Sequence, residues 1–123
     1  MDPATIARIL GIGRVVIGAA LLAAPRATGT AWLGEAAEKP GGQMAVACVG
    51  ARDLALGAGV TWALGGRKRD VKPWLLAAAA ADLADFAGVL RYRAGLPSAS
   101  VLGTAALAGG AAAAGLWLAN ELD

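Results

Sequence analysis

Apolar residues fill four long stretches of this chain, and polar residues gather in the gaps between them. Ile6 to Ala24 is apolar apart from Arg8 and Arg14, and it closes at Pro25, a residue that cannot continue a helix comfortably. Gln43 to Leu64 follows the turn-forming "EKPGG" and stops at Gly65-Gly66. Pro73 to Leu90 opens with proline at a first-turn position and ends before "RYRAGLP". Ser98 to Asn120 begins at a serine suited to a helix cap and ends in "ELD". Each run is about 18 to 23 residues long, and a helix needs roughly 20 to cross the hydrocarbon of a bilayer. The pattern predicts an all-α fold: a four-helix transmembrane bundle with short loops, forming a single domain over residues 1–123.

Composition strengthens that picture. Hydrophobic residues make up 58% of the 123 residues and charged ones 16%, with a mean hydropathy of +0.60. Alanine and glycine dominate and β-branched runs are scarce, so extended sheet is not expected. A soluble all-α bundle is the alternative, because alanine-rich helices imitate spans. "WLLAAAAADLADFAGVL" also carries Asp82 and Asp85, each costing about 2.5 to 3.5 kcal/mol at a span centre, so this segment needs its neighbours to stay inserted. The stretch "ALLAAPRA" loosely resembles a signal-peptide cleavage region, but Arg14 interrupts the apolar core that such a signal requires. The first run is therefore read as a retained helix.

Charge then sets orientation and removes several functions. A formal net charge of +2 is too weak for nucleic-acid binding. With no histidine and a single cysteine, Cys48, zinc, haem and most transition-metal sites are excluded, as are Ser-His and Cys-His catalytic pairs. No cofactor is expected. The second loop, "GGRKRDVK", holds Arg67, Lys68, Arg69 and Lys72, against Arg26 and Lys39 in the first loop and Arg91 and Arg93 in the third. The positive-inside rule, with Arg8 added, places the basic loop and both termini in the cytoplasm and the chain in the cell (inner) membrane. Trp32, Trp62, Trp74 and Trp117 fall near span ends, where indoles anchor to the interface.

Helix association in lipid relies on small residues that let backbones approach. At 100° per residue, Ala7, Gly11, Arg14 and Gly18 share one face of the first span, and Gly50, Asp53 and Gly57 share one face of the second. The fourth span, with "LAGGAAAAG", is smooth nearly all round.

The chemistry lies in charges at mid-span. Arg14, Arg52, Asp53, Asp82 and Asp85 come from three spans and share one depth. Isolated charges there are costly, so inward orientation and pairing are expected. Asp82 and Asp85 are three residues apart and point to one side of the third span. Arg52 and Asp53 point about 100° apart, so one of them is expected to face a different helix or a second subunit, which makes a homo-oligomer one expected arrangement. Two arginines against three carboxylates leave one negative charge in excess. Arginine stays protonated, so one carboxylate is expected to carry a proton, a cation or a basic ligand. The rival reading is a structural ion-pair clamp that fixes helix register. Asp82-Leu-Ala-Asp85 resembles half of an aspartate-rich diphosphate-binding motif, but no second half occurs. Cys48 lies about 40° from Arg52 on the helical wheel and is expected to be a small buried packing residue.

The order R-x-x-x-G-x-x-L-L-x-x-P-R, W-L-G, G-A-R-D-L-A-L-G and D-x-x-D runs through Arg14, Gly18, Pro25, Arg26, Trp32, Gly34, Gly50, Arg52, Asp53, Gly57, Asp82 and Asp85. It resembles a family of small uncharacterised four-span membrane proteins, a domain of unknown function common in actinobacteria. The likeness covers most of the first three spans. It implies the membrane fold and supplies no activity.

Three functions fit. The first is a site at the bundle centre for a lipophilic small molecule, with Asp82, Asp85 and Asp53 as acid-base groups and Arg14 and Arg52 binding ligand or stabilising developing negative charge. Opening or closure of an epoxide or polyene ring would suit such an inventory. The second is proton- or cation-coupled transport by a homo-oligomer, with the aspartates as relay groups. The third is a structural or accessory membrane subunit. In each, the lipid bilayer is the first partner.

Overall fold

The structure, a computed structural model, describes residues 1–123 apart from the side chain of Lys68, so that member of the basic loop lies outside the described side chains. Among the described residues it is helical and turn structure without strands: α1 (Pro3–Ala23), α2 (Pro25–Leu33), α3 (Pro40–Ala63), α4 (Lys72–Arg91) and α5 (Ser98–Glu121). Four of these, α1, α3, α4 and α5, are long and apolar enough to cross a membrane.

The ends of the helices follow local chemistry. Asp2 caps α1, its Oδ1 accepting from the Thr5 backbone N–H at 3.1 Å, and Pro3 occupies the first turn, where its missing N–H costs nothing. Pro25 separates α1 from α2 in the same way: it starts the second helix because it cannot donate within the first. α2 stops at Gly34, whose φ of 66° is the single positive value among the described residues and suits a residue without Cβ. Pro40-Gly41-Gly42 was expected to form a turn, but it is the first turn of α3. The helices thus begin up to three residues earlier than the apolar pattern alone indicates. The first connection is also not a short loop: it holds α2 and a five-residue 3-10 turn, Gly34–Glu38.

The packing consists of two antiparallel pairs. α1 lies along α3, and α4 lies along α5, with fewer contacts between α3 and α4 and fewer still between α1 and α5. Glycine explains the first pair. A Cβ built on Gly18 would stand 2.5 Å from the Leu54 nitrogen and 2.6 Å from the Gly50 carbonyl oxygen, so the two backbones touch here and leave no room for a methyl group. The second pair is joined where Gly115 meets Ala79 and where Gly109 meets the Phe86 ring.

Two clusters of buried apolar side chains lie towards the ends of the bundle, and Ala78, Ala79, Ala108 and Ala112 are buried between them on α4 and α5. Ala7, Val60, Ala63, Val71, Leu75 and Leu118 form one cluster, at the end where both termini and the α3–α4 turn lie. Lys72 Nζ meets Asp123 Oδ2 at 2.5 Å at that end, tying the start of α4 to the close of α5. Leu21, Ala37 and Val46 form the other cluster, covered by Trp32 and Leu33 of α2. Outward surfaces carry Ile12, Val16, Leu83, Leu102 and Leu116, the apolar exterior that suits lipid.

Candidate functional site

Between the two apolar ends lies a band of charge. Arg14 sits on α1 between Gly11 and Gly18, and Asp53 sits on α3 between Gly50 and Gly57. The close approach of these backbones sets the two side chains face to face. Arg14 Nη1 donates to Asp53 Oδ1 at 3.2 Å, while its Nη2 donates to Asp82 Oδ2 on α4. Arg52 reaches round α3 to the same α4 surface. Its Nη1 and Nη2 grip Asp85 Oδ1 and Oδ2 in a parallel fork at 2.8 and 2.6 Å. Its Nε and Nη2 also lie 3.3 and 3.2 Å from Asp53 Oδ1. The groups therefore run in the order Asp82, Arg14, Asp53, Arg52, Asp85.

All five residues singled out from the sequence are brought together. Arg52 and Asp53 diverge on α3, and Arg52 faces the neighbouring helix α4, one of the two arrangements expected for it. The Arg52 side chain is long enough to turn back to Asp53 while holding Asp85, and both satisfy their partners within the chain. Burial is graded along the series. Asp82 is 5% exposed, whereas the Arg52 and Asp85 side chains retain 31% and 26% exposure. The band thus runs from the dry centre to the outer flank between α3 and α4. Asp82 and Asp85 both face arginines, so they are not presented as a free diphosphate-binding pair. Among the described residues, no three His, Cys, Asp or Glu side chains gather as a metal site.

A cavity of about 780 Å³ lies against this band, with Asp53, Asp82 and Asp85 in its wall, within the size range of small-molecule pockets. Leu10 and Ile17 of α1, Leu107 and Thr104 of α5, and the charged Arg14 and Asp82 all contribute to its wall. It exists because α1 and α5 belong to different helix pairs and barely meet. Leu10, Ile17 and Leu107 line it and are also exposed on the outer surface, so the cavity opens sideways between α1 and α5 at mid-helix. Towards the α2 end, Trp32 Nε1 donates to Thr104 Oγ1 at 2.8 Å and the Ser100 hydroxyl donates to the Trp32 carbonyl oxygen, pinning α2 across that end of α5.

Trp32, Ser100 and Thr104 were not among the residues singled out from the sequence for the site; Trp32 was read as an interface anchor. The available signal was a lone threonine in the otherwise apolar interior of the last span, a group needing a hydrogen-bond partner in lipid. Cys48 corrects a further expectation. It is exposed on α3 rather than packed inside, because the face beside it that turns inward is the one carrying Gly50 and Asp53. No protein-family model matches this chain, and neither a curated protein nor a solved structure shows significant similarity to it.

Proposed function

We propose that this chain is a multi-pass protein of the bacterial inner membrane, with both termini cytoplasmic, that binds a lipophilic small molecule in the cavity between its two helix pairs. What carries the reading is one juxtaposition: a ligand-sized, mostly apolar cavity, open towards lipid, ends on a buried carboxylate, Asp82. An apolar molecule gains little by leaving lipid for an apolar wall, so affinity must come from shape and from the polar groups at the closed side. Arg14 and Asp82 are those groups. Arg14 can stabilise negative charge on a bound molecule, and a carboxyl group in the same wall can exchange a proton with it, which makes acid-base chemistry on the ligand the natural extension. The orientation rests on the termini and the basic α3–α4 turn sharing one end.

The experiment is extraction into lipid nanodiscs followed by native mass spectrometry for molecules that travel with the protein. A bound lipophilic species is expected with the unaltered chain and is expected to be lost from a folded Asp82→Asn variant. A chain that carries no such species and takes up none from a lipid extract would overturn the reading.

A second reading, ion-coupled transport by a homo-oligomer, has its own support. Arg52 and Asp85 emerge at the outer flank between α3 and α4, where exposed charge within hydrocarbon calls for a cover. A second copy placed there would supply one. Dimers or larger rings in the same spectra, disrupted by Arg52→Gln, would favour it.

A further inference from the structure

Resting on the cavity-binding reading above, we infer that the ligand is a lipophilic monocation, an amine on a hydrocarbon body. It enters sideways from the bilayer between α1 and α5 and seats its ammonium group on Asp82.

The charges divide unevenly. Asp85 gives both carboxylate oxygens to the Arg52 fork, and Arg52 also shares Asp53 Oδ1 with Arg14. The two arginines thus hold three carboxylates, and Asp82 has Arg14 as its one described arginine partner. The excess negative charge lies on the cavity wall, which carries Asp53, Asp82 and Asp85 but, of the two arginines, Arg14 alone. Hydrogen bonding agrees. Asp82 engages Arg14 through Oδ2, and among the described residues its Oδ1 accepts nothing. Asp53 takes all of its arginine hydrogen bonds on Oδ1, leaving Oδ2 without a described donor. No fully buried side-chain oxygen or nitrogen lacks a partner among the described residues. Asp82 Oδ1 thus keeps open surface although its residue is 95% enclosed (5% exposed), and Asp82 lines the cavity.

An acceptor oxygen with surplus negative charge, facing an apolar slot, selects for N–H donors carrying positive charge. An anionic chain would face three carboxylates on the cavity wall and one arginine, Arg14, whose two terminal nitrogens already donate to Asp53 and Asp82. A neutral alcohol would satisfy the acceptor and leave the charge unbalanced. A metal ion would find one free oxygen on each of two carboxylates and no third acidic, histidine or cysteine ligand. The exposed apolar rim of Leu10, Ile17 and Leu107 gives the hydrocarbon body a path from lipid without crossing water.

The test is native mass spectrometry of the full chain, released from phosphatidylcholine nanodiscs holding equal mole fractions of dodecylamine, dodecan-1-ol or dodecanoate. It is run beside Leu107→Trp, which fills the slot. Dodecylamine is expected to occupy the protein about 10- to 100-fold more than the alcohol, the scale of a hydrogen bond to a charged group. Leu107→Trp is expected to abolish that binding and Asp82→Asn to reduce it to the level of the alcohol. Should Asp82→Asn fail to fold, the three-chain series on the unaltered protein decides alone. Equal or stronger binding of the alcohol or dodecanoate, still blocked by Leu107→Trp, would overturn the cationic ligand and leave the cavity reading intact. Binding that Leu107→Trp does not change, or a dimer that Leu107→Trp dissociates, would overturn both, the latter by assigning the slot to a second copy.

Discussion

Replacing Gly18 by alanine puts the helix pairing to a quantitative test. The added Cβ would meet the Leu54 nitrogen at 2.5 Å, where ordinary contact begins at 3.4 Å, so α1 and α3 must part by about 0.9 Å at that level. Both obstructing atoms belong to backbone and cannot swing aside. Overpacking of this kind costs about 1 to 3 kcal/mol. Alanine also brings a helix-propensity gain of up to about 1 kcal/mol over glycine, which would blur the result. Gly13→Ala on the same helix provides the reference, because a Cβ there meets nothing within 4 Å. The propensity gain is common to both variants, and the difference between them isolates the contact. Unfolding by SDS in mixed micelles, followed by circular dichroism, should place Gly18→Ala about 1 to 3 kcal/mol below Gly13→Ala. The separation should also weaken the Arg14–Asp53 hydrogen bond, which at 3.2 Å has little length to spare. Equal stabilities for the two variants would refute the close α1–α3 contact and the placement of Arg14 that depends on it.

Other outcomes follow from single contacts. Arg14→Gln strips Asp82 of its arginine while Asp53 keeps Arg52, so the same titration should show a loss of about 3 to 5 kcal/mol, partly restored by adding Asp82→Asn. Trp32→Phe removes the bond to Thr104 and should cost about 0.5 to 1.5 kcal/mol in that assay. Cys48 lies eight residues beyond Pro40, about 12 Å into α3. In intact membranes it should react with a lipophilic maleimide and resist a water-soluble one; equal rates would argue against burial in lipid. Outside the spans, the Thr5 hydroxyl and backbone N–H hold the Asp2 carboxyl below its ordinary value of 3.8. The charged cap is therefore favoured by folding, and its contribution is present above that value and lost as pH falls below it through the lowered folded-state value. The stability difference between the natural chain and Asp2→Ala should shrink over that acid range in a pH series of melts.

The apolar runs disclose the four long helices because each is long enough to stand out from its gaps. They do not disclose α2. "PRATGTAWL" is short, carries two threonines and a glycine, and has no apolar stripe of its own; its helix depends on Pro25 to start it and on Trp32 and Gly29 packing against the rest. Counting residues puts the five charged groups at one depth, and glycine spacing indicates which faces of α1 and α3 meet. Which arginine serves which aspartate is another matter. A guanidinium on a flexible stem reaches past the 100° that separates Arg52 from Asp53 on the helix, so wheel geometry fixes the Cβ direction and not the partner. The cavity was invisible for a related reason: it arises from two helices that fail to meet, and no residue records that.

The arrangement in two helix pairs has a consequence for assembly. At mid-depth the fragment from α1 to α3 holds two arginines and one aspartate, whereas the fragment from α4 to α5 holds two aspartates. Severed in the Gly65-Gly66 turn and made as separate polypeptides, the pieces would carry opposite formal charge into the same oily medium. Neither holds enough opposite charge of its own to balance that excess, and dissolved salt does not penetrate there to screen it. Each piece would thus bring to the other the counter-charge that its own sequence lacks, and recognition between them would be a matter of sign first and of shape second.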